Sequence, residues 1–307
     1  MRNWQPNQTT RVNSCMSVAR CVLGICTFLL FSIGASQGYL YPNFFTNYRE
    51  TMHLVSPAFL PNNTNFDVFS NYRSLSGDFK NISGYTFSAA KLWQSKNKLK
   101  HQLRLQFVNE KEGSYITYPK IYAGYAVEIP ITDDIQISAG TYLGFAGIYY
   151  AAPTVTEASG MLPDGAVGIG TQLRNIKILL SSNQIFNNSL NKESIKLGRY
   201  YQGLLNWDIP INHKWIWALN TLARELPYAT NEYYAGTAIS FNKIFEIGSN
   251  YKFNGGLSFY SSVDCTLQEE KLKIYFNYNS SAFKLNPTWL NGIELGLRYR
   301  ILNAASK

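Results

Sequence analysis

Charged residues are scarce in this sequence, and so are cysteines, histidines and long apolar runs. Charged side chains make up 15% of the 307 residues, whereas about 25% is usual in soluble domains. The apolar run over residues 21–33 is too short to cross a bilayer as a helix, which takes about 20 residues. The mean hydropathy of -0.17 also argues against a helical membrane protein.

The N-terminal 36 residues are predicted to be a secretory signal peptide. Arg2, Arg11 and Arg20 precede or border the apolar run, and no acidic residue occurs before residue 37. Small residues follow the run, so we expect cleavage between Ser36 and Gln37, with cleavage one residue earlier as the alternative. A tilted membrane anchor is the competing interpretation, and the length and flanks of the run favour the signal peptide.

Removal of the leader changes what the remaining chain can do. Three of the four cysteines lie within the leader, which leaves Cys265 alone and predicts a mature chain with no internal disulfide. The three leader arginines are also lost, so the formal charge falls from +9 to +6. This positive charge is spread along the chain and is not typical of a nucleic-acid-binding surface, so no nucleic acid partner is predicted.

Apolar and polar residues alternate with a period of two in segments of about ten residues throughout the mature chain. Leu103, Leu105 and Phe107, for example, alternate with Arg104 and Gln106. The predicted strands are 66–73, 82–91, 99–108, 119–129, 134–148, 165–174, 175–182, 198–209, 213–223, 231–241, 243–253, 256–263, 271–279 and 290–301. The pattern predicts an all-β fold, a transmembrane antiparallel up-and-down β-barrel of about 14 strands, in the outer membrane of a bacterial cell.

Alternating lengths of the connections support this prediction, because outer-membrane barrels have short periplasmic turns and longer external loops. The short turns are Pro130–Asp133, Arg174–Asn175, Pro210–Asn212 and Asn242–Lys243, and the longer connections are 109–118, 149–164, 183–197 and 280–289. Two connections do not fit. Asn254–Gly255 predicts a tight hairpin where a long loop is expected, and 264–270 is long for a periplasmic turn.

Aromatic residues at the predicted strand ends are typical of the two membrane interfaces. Trp207, Trp215 and Trp217 flank one turn, and two Tyr pairs, at 149–150 and 233–234, lie at other strand ends. A soluble β-sandwich is the structural rival, but it usually needs only about seven to nine strands.

No set of residues predicts catalysis, a metal site or a cofactor site. The three histidines are His53, His101 and His213, and none has another His or Cys at the spacing of metal ligands. A Ser–His pair at the barrel rim would be needed for a barrel lipase, and no serine is singled out as a partner of His101. We therefore predict that the protein is not an enzyme and has no cofactor.

Three segments of the chain match short motifs of one protein family. Ser56-Pro57-Ala58 resembles the family's opening Asn-Pro-Ala motif, with Ser in place of Asn, and Asn71-Tyr72-Arg73 ends the first strand. Pro163-Asp164-Gly165, followed by Gly168, is similar to the family's Gly-rich entry into a strand, and the closing strand from Gly292 to Tyr299 is the third similar segment. Together the three segments resemble the PorP/SprF family of the type IX secretion and gliding-motility apparatus.

The resemblance implies an outer-membrane component that supports the secretion or surface attachment of a large adhesin through the adhesin's C-terminal domain. It also implies contact with periplasmic proteins of the apparatus. We assign residues 37–65 to a periplasmic N-terminal segment that makes this contact, 66–302 to a multi-pass barrel in outer-membrane lipid and 303–307 to a C-terminal tail. The alternative is an outer-membrane channel or transporter for small solutes, because about 14 strands lie between filled and porin-sized barrels.

The last predicted strand also resembles the signal that the barrel-assembly machinery reads. Its residues are Gly292, Leu295, Leu297 and Tyr299, with the two leucines predicted on the lipid face.

Overall fold

A computed structural model describes residues 39–40, 45–77, 80–96, 98–150, 159–189, 196–253, 256–280 and 291–303. The predicted leader, its cleavage site at Ser36 and Gln37, and most of the predicted C-terminal tail lie outside these residues. The chain divides into two units, 1–35 and 36–307, and every described residue belongs to the second.

Fourteen antiparallel strands form a closed barrel, which confirms the predicted fold and strand number. The barrel strands are β2 (Thr64–Leu75), β3 (Ser83–Gln94), β4 (Lys100–Glu112), β5 (Ile116–Pro130), β6 (Ile135–Tyr150), β7 (Gly160–Leu173), β8 (Ile176–Asn183), β10 (Tyr200–Pro210), β11 (Trp215–Glu225), β12 (Glu232–Phe241), β13 (Phe245–Lys252), β14 (Gly256–Leu267), β15 (Glu270–Ser280) and β16 (Gly292–Leu302). Outside the barrel ladder lie β1 (Tyr39–Leu40), β9 (Lys196–Leu197) and the short helix α1 (Met52–Val55). No helix of the described residues is long and apolar enough to span a membrane.

Consecutive barrel strands pair with one another, and β16 pairs with β2 to close the ring, from Gly292 opposite Leu75 to Leu302 opposite Thr64. Closure leaves the barrel without an unpaired edge, as a strand structure in lipid requires. The short strand β1 pairs in parallel with β9, which lies in the connection between β8 and β10.

The two ends of the barrel differ in their connections. We call the end where β2 begins and β16 ends the short-turn end, since its connections have two to five residues. The opposite end, the long-loop end, includes the connections 151–159, 184–199 and 281–291. The predicted short turns all lie at the short-turn end.

The predicted connections 264–270 and 109–118 are both longer than those in the structure. The connection predicted over 264–270 is reduced to residues 268–269, because β14 continues to Leu267 and Gln268 adopts a positive φ of 54°. The loop predicted over 109–118 is likewise reduced to 113–115, where Gly113 has a φ of 72°. The hairpin predicted at Asn254–Gly255 lies outside the described residues; β13 ends at Lys252 and β14 begins at Gly256.

The faces of the strands follow the predicted alternation, with apolar side chains outside. Leu105 on β4 and Ile169 on β7 are 65% and 59% exposed, whereas Arg104 and Gln102 on β4 are buried inside. Trp93, Trp207, Trp215 and Trp217 lie on the outer surface near the short-turn end. This arrangement is that of a barrel with lipid outside and polar groups inside, with an aromatic band at the membrane interface. Tyr234 is an exception to the predicted belt because it points inward and is buried.

Candidate functional site

The lumen of the barrel is occupied by the segment that precedes β2. Residues 45–61, which we call the plug, are buried except for Arg49 and Leu54, which are partly buried. Their partners come from strands all around the ring, so the plug lies inside the barrel. The candidate functional site is therefore the lumen and its plug.

The plug runs from the long-loop end to the short-turn end. Phe45 lies beside Gly84 near the start of β3, at the long-loop end. The amide of Asn62, just after the plug, donates to Gln172 near the end of β7, at the short-turn end (3.4 Å). The chain then turns into β2. On the other side of the plug, Tyr39–Leu40 pair with β9 in the connection between β8 and β10, at the long-loop end.

Thr46 anchors the plug near the long-loop end. Its backbone N–H donates to Glu294 Oε1 on β16 (2.9 Å), and its hydroxyl donates to the same oxygen (2.8 Å). Asn250 Nδ2 on β13 donates to the Thr46 carbonyl (2.8 Å). One plug residue therefore bridges two strands that are not neighbours in the ring.

Glu50 is the centre of a buried ion network. Its carboxylate pairs with Lys273 on β15 and with Arg298 Nη1 on β16 (3.3 Å). Arg298 also pairs with Asp67 on β2 (3.0 Å) and donates to Nδ1 of His53 in α1 (3.0 Å). Because an isolated charge is costly in a low-dielectric interior, each of these groups depends on its partners.

Arg49 forms a second link between plug and barrel. Its guanidinium pairs with Asp208 on β10 (2.5 Å) and with Glu246 on β13 (3.1 Å). Asn206, also on β10, accepts a further bond at 2.9 Å. The consecutive residues Arg49 and Glu50 thus pair with barrel groups of the opposite charge on different strands.

Beyond α1, backbone carbonyls of the plug accept hydrogen bonds from barrel side chains. Ser181 Oγ donates to the Val55 carbonyl (2.7 Å), and Gln202 donates to the same oxygen. Gln102 donates to the Phe59 carbonyl (3.3 Å). These bonds satisfy main-chain groups that have no ladder partner in the plug.

Apolar plug side chains add a packed cluster on one side of the lumen. Its buried members are Tyr48, Met52, Val55 and Phe59 from the plug and Leu179, Leu204, Leu222 and Tyr234 from the barrel. Apolar packing and ion pairs together fix the plug in one position.

The two family motifs predicted from the sequence meet in the lumen. A Cβ on Gly168 of β7 would clash with Ser56 Oγ and lie 3.0 Å from Pro57 Cδ. A Cβ on Gly140 of β6 would lie 2.7 Å from the Pro57 carbonyl carbon. Glycine at these two positions therefore provides the room for the Ser56–Pro57 bend.

The remaining predicted motif residues occupy structural positions. Asp164 on β7 is buried and accepts a hydrogen bond from Tyr122 OH (2.6 Å), next to Pro163 and Gly165 in the same strand. Ala58 is buried in the plug. In β16, Leu295 and Leu297 face outward, Gly292 is buried against Leu75, and Tyr299 is partly buried.

The periplasmic segment predicted over residues 37–65 is wrong for the plug, and β2 already begins at Thr64. Residues 45–61 instead pair with charged groups of the lumen, such as Lys273 and Arg298. The signal in the sequence was the set of inward charges, such as Lys273, Glu294 and Arg298, which require partners inside the ring.

Cavities also lie beside the plug, and two of them bear on function. One, of about 70 Å³, is lined by Phe45, Tyr122 and Asp164 among others, toward the long-loop end. The other, of about 420 Å³, is bounded by the plug and by the short-turn ends of several strands. We call this larger, strongly charged cavity the vestibule.

The described part of the chain contains no group of three or more His, Cys, Asp or Glu residues placed to hold a metal ion. His101 lies on the outer face, where its Nδ1 is 2.7 Å from Tyr125 OH and its ring stacks on Trp93. His213 lies in the turn between β10 and β11.

The barrel, its apolar outer face and its polar interior define an outer-membrane β-barrel with an internal plug. The chain belongs to the PorP/SprF family of type IX secretion system membrane proteins, whose family model matches residues 37–299. No protein with a curated function matches the sequence.

Solved structures with a similar fold include a toluene transporter and a hydrocarbon channel. The toluene transporter TbuX of Ralstonia pickettii is similar with a TM-score of 0.56 and 8% identity, over 90% of this chain and 99% of TbuX. The monoaromatic hydrocarbon channel CymD gives a TM-score of 0.52 and 9% identity, over 84% of this chain and 94% of CymD. At these identities the likeness concerns the fold alone.

Proposed function

We propose that this protein acts in the type IX secretion and gliding apparatus as a closed barrel that contacts other proteins and supports the secretion or surface attachment of a large adhesin. The observation that supports this proposal is the plug, which fills the lumen and is held by ion pairs to several strands. A conduit for solutes needs a continuous path, and the plug crosses that path from end to end.

The rival function is a channel or transporter for small solutes. Structural neighbours include a toluene transporter and a hydrocarbon channel, and an apolar solute would require an apolar path. Here the lumen is lined by groups such as Arg104, Glu246, Lys273, Glu294 and Arg298. Desolvated charges along the route oppose the passage of a hydrocarbon. The lining therefore favours a closed barrel of the secretion apparatus over a hydrocarbon channel.

The lengths of the connections give the orientation that we propose. Short turns face the periplasm in outer-membrane barrels, and longer loops face outward. The vestibule would then open toward the periplasm, where machinery of the apparatus could reach it. The connections 151–159, 184–199 and 281–291 would face the cell surface, where an adhesin is displayed.

A deletion strain tests the proposal. We expect general secretion to continue and one surface adhesin, or a small set of them, to disappear from the surface proteome. Complementation with the full-length gene should restore display. An unchanged surface proteome, together with slower uptake of a small solute, would favour the channel.

Truncation of residues 41–62 tests whether this segment is a periplasmic arm or a plug that closes the lumen. A periplasmic arm could be removed without effect on the lumen, whereas removal of the plug should open it. The truncated barrel should therefore conduct ions in planar bilayers, and the full-length protein should not.

A further inference from the structure

The vestibule carries more positive than negative charge. Seven of its lining residues are Lys or Arg and four are Asp or Glu. Its charges face a cavity of about 420 Å³, enough for roughly 14 water molecules at the volume of liquid water. A cavity of this size and charge is suited to an anionic ligand larger than one small ion.

The four acidic residues of the vestibule already have cationic partners. Asp208 and Glu246 pair with Arg49. Glu50 pairs with Lys273, and Asp264 pairs with Lys271 (3.1 Å). Arg174 pairs with Asp134 (2.8 Å), which is not among the lining residues. No acidic group of the lining is therefore left to neutralise the other cations.

Three cations remain, and they are poorly neutralised. Lys177 on β8 contacts the Leu60 carbonyl (3.3 Å) and the ring of Phe59 (4.8 Å to its centroid), neither of which carries a full charge. Lys243 is exposed in the turn between β12 and β13. Within the described ranges, neither lysine forms an ion pair.

Arg300 on β16 is the third of these cations. Its only carboxylate partner within the described residues is Asp67 (3.2 Å), which also pairs with Arg104 and Arg298. Three guanidinium groups therefore surround one carboxylate. The positive charge that remains favours an anion from outside the chain.

We propose that the vestibule is the docking site of an acidic peptide segment that belongs to a periplasmic partner. The three cations lie on β8, in the turn after β12 and on β16, which are separated around the ring. This spacing suits several carboxylates along a chain better than a single tetrahedral anion. The inference rests on the proposed orientation and deepens the proposed function, because it names the chemistry of the contact with the apparatus.

Direct binding to the purified full-length protein in detergent tests the site. The probe is fluorescein-labelled hexaglutamate, with hexaglutamine as the uncharged control, followed by fluorescence anisotropy. We expect hexaglutamate to bind, its affinity to fall with added salt, and hexaglutamine not to bind. Equal binding of the two peptides, or no binding of hexaglutamate at low salt, would overturn the inference.

Single Lys→Gln variants test whether hexaglutamate binds in the vestibule. Lys177→Gln should weaken hexaglutamate binding about tenfold, since it removes a charged donor. Lys243→Gln, which removes a rim charge that does not touch the plug, should weaken it about threefold, within the range for an exposed pair. Lys214→Gln is the matched control, because this exposed lysine lies at the same end of the barrel but outside the vestibule lining. An equal loss of hexaglutamate affinity in all three variants would show diffuse electrostatic attraction to this end of the barrel and would overturn the proposed site.

Competition with inorganic phosphate shows whether the vestibule prefers an acidic peptide or binds any small anion. Unlabelled hexaglutamate should displace the probe, and phosphate at equal charge concentration should not. Displacement by phosphate with equal efficiency would show a small-anion site and contradict peptide docking.

A strain carrying both Lys177→Gln and Lys243→Gln connects the site to secretion. We expect normal barrel insertion with reduced adhesin display. Normal display would overturn the docking inference and leave the proposed function intact, whereas the deletion strain tests the function separately.

Discussion

Replacement of Glu50 by Gln should loosen the plug while the barrel remains assembled. Glu50 pairs with Lys273 and Arg298, and all three side chains are buried inside the lumen. Glutamine has nearly the same volume but no charge, so Lys273 loses its nearest carboxylate. Arg298 keeps Asp67 at 3.0 Å, and the barrel ladder itself is untouched.

The expected cost follows from the loss of one partner from a buried ion pair, which is about 3–5 kcal/mol. We take the lower end, about 3 kcal/mol, because Arg298 retains a second carboxylate and Lys273 lies 4.0 Å from both Glu246 and Asp264. Since every 1.4 kcal/mol is about tenfold in an equilibrium constant, the displaced plug should become about a hundredfold more populated.

Single-channel recording in planar bilayers measures this population. Glu50→Gln should show openings about a hundredfold more often than the wild type, and a variant lacking residues 45–61 should conduct continuously. Glu128→Gln is the control, because Glu128 is equally buried but pairs with Lys100 on the adjacent strand (2.6 Å). If Glu50→Gln opened no more often than Glu128→Gln while the plugless variant conducts, the ion network would not be what holds the plug.

Three further predictions concern processing, insertion and packing. N-terminal sequencing of membrane-extracted protein should begin at Gln37 or Ser36, and a start at Met1 would contradict the leader. Leu297→Asp should abolish heat-modifiable barrel in the outer membrane, because a carboxylate on the lipid face costs about 2 kcal/mol, and normal levels would refute this. Gly140→Ala should lower the free energy of unfolding by about 1–3 kcal/mol through overpacking against Pro57, seen as a lower thermal transition temperature of the purified protein; an unchanged transition temperature would show that the plug shifts to make room for the methyl group.

The barrel could be predicted from the sequence because its wall repeats one simple rule. On β4, for example, the outward Leu103 and Leu105 alternate with the inward Gln102 and Arg104, and this alternation recurs along the chain. Turn residues then separate the strands. Each such signal is local, so the strand count and most strand positions follow without knowledge of which strands meet.

The plug could not be predicted because the ion pairs and hydrogen bonds that anchor it join residues distant in sequence. Thr46 bonds Glu294, and Glu50 bonds Lys273 and Arg298, more than 200 residues away. No periodicity in the plug marks these partners. The Ser56–Pro57 motif was found by resemblance, but its contact with Gly140 and Gly168 depends on how the ring closes.

The path of the plug also sets an order of events during folding. Tyr39–Leu40 pair with β9 at the long-loop end, and the chain after Pro61 enters β2 at the other end, so a finished ring would have to be threaded. The plug must instead lie between the strands while the sheet is still open. The last strand, which carries Glu294 and Arg298, then completes the ring and binds the plug in the same step. A last strand that closed on an empty lumen would leave Glu294 without its bonds to Thr46. Closure of the sheet around the plug is therefore the favoured route to a sealed barrel.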